Sequence, residues 1–361
     1  MISGVTASSG RHAQAAPAGN PAVWIAVGGV SNEDSPILMT TEDANAVTWV
    51  DRSFAAGLAA PSAILLDICY SSSLNRWVAV GHDGGFNFGD PIVIYSDDGG
   101  NTWTAVTADP ATDFFIESVC WTGTSFIAVG RDSASTTPKV MSSSNGISWT
   151  QRTSAPATSA EWYGVRGITG LAVAVGGDSE FSGPRRLMTS TDDGASWSAN
   201  TPAFTTAVFF GVVLVSGGTH VIVGLRNSAT IPGIGSSTNG TSWTEYNTAM
   251  ADHQFNDVAY NGTIYAVVGL DFNSGLEGRA ASSPNGTTWT SRATDPVSAG
   301  SDGPNWLSVA AINGGGFVAV GRDNNTFTIP YIMYSADGLT WVARSPDPAS
   351  GGTLRGIATS S

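Results

Sequence analysis

Residues 95–106 read YSDDGGNTWTAV. Within it, Ser96, Asp98, Gly100 and Trp103 set an order, Ser, then Asp or Asn, then Gly, then Trp, that returns along the chain. The phrase recurs as MSSSNGISWTQR (141–152), TSTDDGASWSAN (189–200), GSSTNGTSWTEY (235–246), ASSPNGTTWTSR (281–292) and MYSADGLTWVAR (333–344), with a worn copy, MTTEDANAVTWVDR, at 39–52. The anchoring tryptophans are Trp49, Trp103, Trp149, Trp197, Trp243, Trp289 and Trp341, at intervals of about fifty residues, the period of blade-type repeats.

Two further phrases precede each copy. One is an apolar run ending in glycine: WIAVG (24–28), WVAVG (77–81), FIAVG (126–130), AVAVG (172–176), HVIVG (220–224), YAVVG (265–269) and FVAVG (317–321). In six repeats an aromatic, Leu or Ile followed by x-x-Val or its equivalent stands before it, as LLDICY, IESVCW, WYGVRG, FFGVVL, FNDVAY and WLSVAA. Val, Ile, Thr and aromatic runs broken by Gly, Asn and Asp are strand-and-turn chemistry, and no sustained 3.6-residue period competes with it. Four short strands per repeat and seven repeats predict an all-β, seven-bladed β-propeller with four-stranded antiparallel blades, spanning 23–361 behind an N-terminal arm at 1–22.

Blade one lacks an innermost strand in its own repeat. The terminal TLRGIATSS (353–361) carries Leu354 and Ile357 at the first-strand spacing, which predicts that the C-terminus completes blade one and removes an open sheet edge. ISGV (2–5) is the rival for that place.

The hairpin phrase itself reads as a folding device. An Asp or Asn side chain accepts bonds from turn amides, Gly supplies φ > 0, and the Trp covers the gap between blades. Asn replaces Asp in blades three, five and six without harm to that logic, and seven near-copies around a ring cannot all be one active site. The structural set is Ser96, Asp98, Gly100, Trp103, Trp149, Asp192, Gly194, Trp197, Trp243, Trp289, Asp337 and Trp341.

Ser96-x-Asp98-x-Gly100-x-Thr102-Trp103 and Ser190-x-Asp192-x-Gly194-x-Ser196-Trp197 resemble the Asp-box, or BNR, repeat of sialidases, which also occurs in a photosystem assembly factor, sortilin-type receptors and many phage and bacterial surface proteins. The resemblance covers nearly the whole chain. It implies the propeller, and leaves function to the loops.

On the face opposite the hairpins, just after each Val-Gly, the candidate ligand residues are His82, Asp83, Arg131, Asp132, Asp178, Arg226, Asp271, Arg322 and Asp323. A sialidase grips its substrate carboxylate with an arginine cluster, because guanidinium binds it bidentately. Arg131, Arg226 and Arg322 are the counterparts here. Against that reading, an Arg-Ile-Pro signature is absent, and Glu245 and Tyr246 are adjacent in one strand, so they point to opposite faces. No Tyr/Glu pair is legible in the sequence, which predicts a protein that is not an enzyme. The most individual loops, 82–91, 178–186 and 271–279, are where a glycan or protein would bind.

Of 361 residues only 12% are charged, and the formal charge is −14, with Lys139 the one lysine. That charge argues against nucleic acid, whose phosphates need a basic face, and against anionic membranes. No apolar run is long enough to span a bilayer, and the start lacks the charged and apolar regions of a signal peptide, which predicts synthesis in the cytoplasm. Cys69 and Cys120 occupy one repeat position on neighbouring innermost strands and read as small buried filling. His12, His82, His220 and His253 have no ligand spacing, so no metal or cofactor is implied. The acidic turns are still able to hold a structural Ca²⁺, although EF-type spacing is missing.

Three functions follow. The first is a non-catalytic structural or recognition component of an extracellular assembly such as a phage virion or tail, with other structural proteins and surface glycans as partners. The second is a stand-alone lectin-like binder, with Trp121, Trp162, Trp306 and Phe86 exposed. The third is a sialidase-like glycoside hydrolase, with two carboxylates about 5–9.5 Å apart.

Overall fold

A computed structural model describes residues 24–30, 35–53, 63–83, 90–106, 114–132, 137–154, 161–177, 186–200, 204, 207–226, 232–246, 250, 253–271, 277–294, 303–324, 326, 328–344 and 351–360. The side chains of Asp83, Ala207, Arg226 and Pro232 are outside that description. The arm at 1–22, with its rival closing segment, and Phe86 and Asp178 also lie outside it.

The 28 strands, numbered in chain order, form seven four-stranded antiparallel sheets. Six blades run outward from the axis in chain order. Their innermost strands are β4 (Ala63–Ser71), β8 (Phe114–Trp121), β12 (Glu161–Ile168), β16 (Ala207–Val213), β20 (His253–Tyr260) and β24 (Pro304–Ala311). Blade one is composite. β1 (Trp24–Gly29), β2 (Pro36–Thr41) and β3 (Val50–Asp51) are joined on the axis side by β28 (Thr353–Thr359). Trp24 lies opposite Thr359 and Gly28 opposite Leu354 in this pairing, so the C-terminal strand closes the ring and both edges of a would-be gap are paired. Each innermost strand packs against the next, and β28 packs between β24 and β4.

The core lies between blades. Trp103, at the hairpin of blade two, packs with Ile25, Val27 and Leu38 of blade one. The hairpin explains how it is held there. Ser96 Oγ donates to Asp98 Oδ1 (2.8 Å) and accepts from the Gly100 amide (2.9 Å). Asp98 accepts from the Thr102 amide and hydroxyl, and Trp103 Nε1 donates to the Gly100 carbonyl (3.1 Å). Gly100 has φ 84°, and a side chain there would strike Ile25 and Thr40 of blade one. Blade four repeats the set with Ser190, Asp192, Gly194, Ser196 and Trp197. Bonds from Ser196 hold the Asp192 carboxyl down at about 2.

Asn145, Asn239 and Asn285 accept the equivalent amides in blades three, five and six, as Asp337 does in blade seven. The indoles of Trp149 and Trp243 likewise donate to glycine carbonyls. The worn copy keeps the Trp49 Nε1 bond to the Ala46 carbonyl (3.0 Å), with Ala46 at φ 53° in the glycine's place.

Candidate functional site

Every innermost strand breaks register once, at the same level. The breaks fall between Leu65 and Asp67, Ile116 and Ser118, Trp162 and Gly164, Phe209 and Gly211, Phe255 and Asp257, and Trp306 and Ser308. On the composite blade the break leaves out Arg355, between Leu354 and Gly356. The unpaired residues are Leu66, Glu117, Tyr163, Phe210, Asn256, Leu307 and Arg355. All seven line one cavity of about 240 Å³ at the mouth of the central channel. A bulge re-aims a side chain, and here seven bulges aim seven side chains at one axis.

The Val-Gly phrase is what permits the bulges. At Gly130 a Cβ would collide with the Phe115 carbonyl oxygen, and Gly28, Gly81, Gly176, Gly224, Gly269 and Gly321 each meet the equivalent carbonyl of their own inner strand. Only glycine accepts so close an approach. The glycine and the mouth residue are therefore two halves of one device.

The mouth is mixed in character. Leu66, Phe210 and Leu307 are apolar, and the Tyr163 and Phe210 rings lie 5.6 Å apart. Asn256 Nδ2 donates to Asn305 Oδ1 (3.0 Å) and the Trp306 carbonyl (2.8 Å). Glu117 feels the positive charges of Arg131 and Arg355, yet burial outweighs them and raises its carboxyl. Burial also lowers Arg355, whose Nε is sequestered without a hydrogen-bond partner.

No Tyr/Glu pair is legible in the sequence, and the structure corrects this by bringing one together. Tyr163 donates its hydroxyl to Glu161 Oε2 at 2.6 Å. Two residues apart in a strand share a face, and the bulge turns Tyr163 into the mouth. Burial and the Glu161 carboxylate push the phenol well above its usual range.

Of the residues expected on the ligand face, those whose side chains are described make separate contacts around the ring. Arg131 reaches Glu161 (Nε to Oε1, 3.5 Å) and lies over the Phe115 ring at 4.7 Å. His82 meets Phe115 edge-on at 4.5 Å. Asp132 pairs with Lys139 (3.1 Å) and Asp271 with Arg279 (3.1 Å). Asp323 is buried and accepts the amides of Thr326, Thr328 and Ile329 and the Thr326 hydroxyl. Burial opposes its charge, but those bonds hold the carboxyl at about 2. Arg322 is lowered to about 10, first by burial and then by the charge of Arg355. Arg131 and Arg322 are thus engaged separately, with Arg322 coupled to Arg355, a residue the sequence did not single out.

Below the mouth the channel is crossed by Arg166. Its Nη1 donates to Asp67 Oδ2 (3.2 Å), Ser118 Oγ (3.3 Å) and the Val165 carbonyl (2.8 Å), and its Nη2 lies 4.0 Å from Asp257 Oδ2. Asp67 also accepts from Ser118 Oγ and the Val119 amide, and Asp257 from Ser308 Oγ and the Val309 amide. Each Asp thereby clamps its blade to the next. Nearby carboxylates raise the Arg166 guanidinium further despite its burial. The one signal in the sequence was an arginine in WYGVRG where the other repeats carry Cys, Val or Ala.

Cys69 and Cys120 are free and buried, and desolvation pushes Cys120 up to about 12. Trp162 and Trp306 are fully buried, contrary to the exposure a lectin reading requires. Among the described residues no three His, Cys, Asp or Glu side chains gather at one point.

No protein-family model matches the chain, and no curated protein is similar to it in sequence. Among solved structures it is similar to one described as YCF48 bound to D1 peptide, with a TM-score of 0.51 and 17% identity over 78% of this chain and 80% of that one. The two share the propeller fold.

Proposed function

We propose that the protein is a non-catalytic recognition propeller that holds a segment of a protein partner over the ring of bulged side chains, as a component of an extracellular assembly of the phage-tail kind. The observation that carries this is the ring itself. Three apolar side chains, an amide, a tyrosine and one charge of each sign converge from seven blades on one mouth. Such a mixture fits a peptide, with apolar anchors and few oriented polar groups. The half-buried Arg355 side chain supplies the cationic group. The similar YCF48 structure is described as bound to a peptide, which is in keeping with this use of the fold. The assembly setting rests on the resemblance of the hairpin repeats to those of phage surface proteins and on the charge-poor composition.

The experiment is selection of short random peptides displayed against the purified protein. Enriched peptides are expected to weaken at least about tenfold on Phe210→Ala or Arg355→Ala, the loss of one anchor. No enrichment, or binding indifferent to both changes, overturns the reading.

One observation favours a second reading. The Tyr163–Glu161 hydrogen bond is the arrangement a sialidase-like hydrolase needs for its nucleophile. Incubation with a sialoside panel separates the two, because sugar released by the parent and lost in Tyr163→Phe makes the protein an enzyme.

A further inference from the structure

The channel has a second cavity on the hairpin side of Arg166, of about 270 Å³. Its rim carries three half-buried aromatic residues, Tyr70 of blade two, Trp121 of blade three and Tyr260 of blade six. In a ring of seven, blade six faces the gap between blades two and three, so one ring stands across the opening from the other two. Each is braced from behind by an aromatic of its own blade. Tyr70 packs on Trp77 at 4.8 Å, Trp121 on Phe126 at 4.6 Å and Tyr260 on Tyr265 at 4.3 Å. Both tyrosine hydroxyls are already used within their strand-connecting turns, on Asn75 Oδ1 and the Gly262 carbonyl.

The walls are small and uncharged, with Cys69, Cys120, Ala259, Ala310 and Ala358 lining them. The floor is the Arg166 guanidinium. Its charge is already answered by Asp67 and Asp257, so the cavity has no surplus positive charge to hold an anion. An incoming cation would meet the guanidinium first. What remains favourable is an uncharged ring, which gains from the rigid aromatic rim and from the guanidinium behind it. A cavity of about 150 Å³ already accommodates benzene, so this one has room for an indole.

We infer that this mouth is an anchor pocket for a protein partner's aromatic side chain, tryptophan or tyrosine, inserted along the channel axis from the hairpin face. Anchors of this type sit in preformed pockets and dominate an interface. The pocket is separate from the bulge-ring mouth, and Arg166 stands between them.

The test is titration of the purified protein with N-acetyl-tryptophanamide, read by calorimetry and by ligand-observed saturation-transfer NMR. Binding is expected to weaken about tenfold in Trp121→Ala, which strips the rim, and in Ala310→Leu, which fills the wall. Phe210→Ala at the other mouth is expected to leave it unchanged, so this proposal and the reading of that mouth fail separately. N-acetyl-cyclohexylalanine amide, matched in bulk to N-acetyl-phenylalaninamide but without a π face, is expected to bind more weakly than that amide. Absence of binding to the parent, binding insensitive to both pocket variants, or displacement by a free monosaccharide in preference to the indole overturns the inference. Trp121→Ala removes only half-buried surface, so it keeps the test decisive should Ala310→Leu fail to fold.

Discussion

Replacing Arg166 by methionine removes the charge that crosses the channel and keeps most of the stem's volume. The two carboxylates it faces have side chains only 8% exposed, and Arg166 itself is 30% exposed. Breaking a buried pair by deleting one partner typically costs about 3–5 kcal/mol, because the other charge is left uncompensated. Two features reduce that here. The guanidinium is partly solvated, and each carboxylate keeps its amide and serine donors. The expected loss is therefore about 3 kcal/mol at neutral pH, the lower end of that range. Urea unfolding followed by tryptophan fluorescence reads it as a lower midpoint at unchanged slope.

The pH dependence of the loss has a definite sign. Burial already raises the Asp257 carboxyl, and without Arg166 it rises further. Protonation then relieves the repulsion, so the penalty is greatest at neutral pH and shrinks as pH falls through the raised value. Adding Asp67→Asn and Asp257→Asn to Arg166→Met is expected to restore most of the stability. A loss below about 1 kcal/mol, the scale of a surface pair, or one that does not change with pH, would refute the account of Arg166 as a buried cross-channel tie.

Deleting residues 351–361 removes β28 and leaves β1 as an open inner edge. Cooperative unfolding is expected to be lost and limited proteolysis to cut within blade one. Gly130→Ala pushes a Cβ into the Phe115 carbonyl. It is expected to cost about 2–3 kcal/mol by thermal unfolding, as overpacking does, and to weaken peptide capture through Glu117. Asp323 is held at about 2 against an ordinary 3.8, and its folded value is the depressed one. Its contribution of about 2 kcal/mol is thus present above pH 4 and lost as pH falls through about 2. In Asp323→Asn that part of the acid-unfolding curve is expected to be missing.

The hairpins and the blade count were legible because their physics is local. Ser96, Asp98, Gly100 and Trp103 bond to partners within four residues, so the same letters rebuild the same turn wherever they occur. The arginines after Val-Gly looked like a cluster because they share a repeat position. Around a ring, equal position in the repeat puts side chains on separate blades, and Arg131 turned to Glu161 while Arg322 came beside Arg355. Trp162 and Trp306 illustrate the same limit, since only packing decided that they point inward.

An all-β chain of seven four-stranded repeats, the chemistry of their hairpins, and a C-terminal segment with the pattern of a missing inner strand can all be read from the order of the residues. Each of these is written in periodicity and in contacts between near neighbours. That Leu66, Glu117, Tyr163, Phe210, Asn256, Leu307 and Arg355 share a mouth, that Tyr163 meets Glu161, and that Arg166 ties Asp67 to Asp257 came with the folded ring and is written in no single repeat. A bulge exists only relative to the strand beside it. The channel is built from one or two side chains per blade, brought together from across the whole chain by closure of the ring.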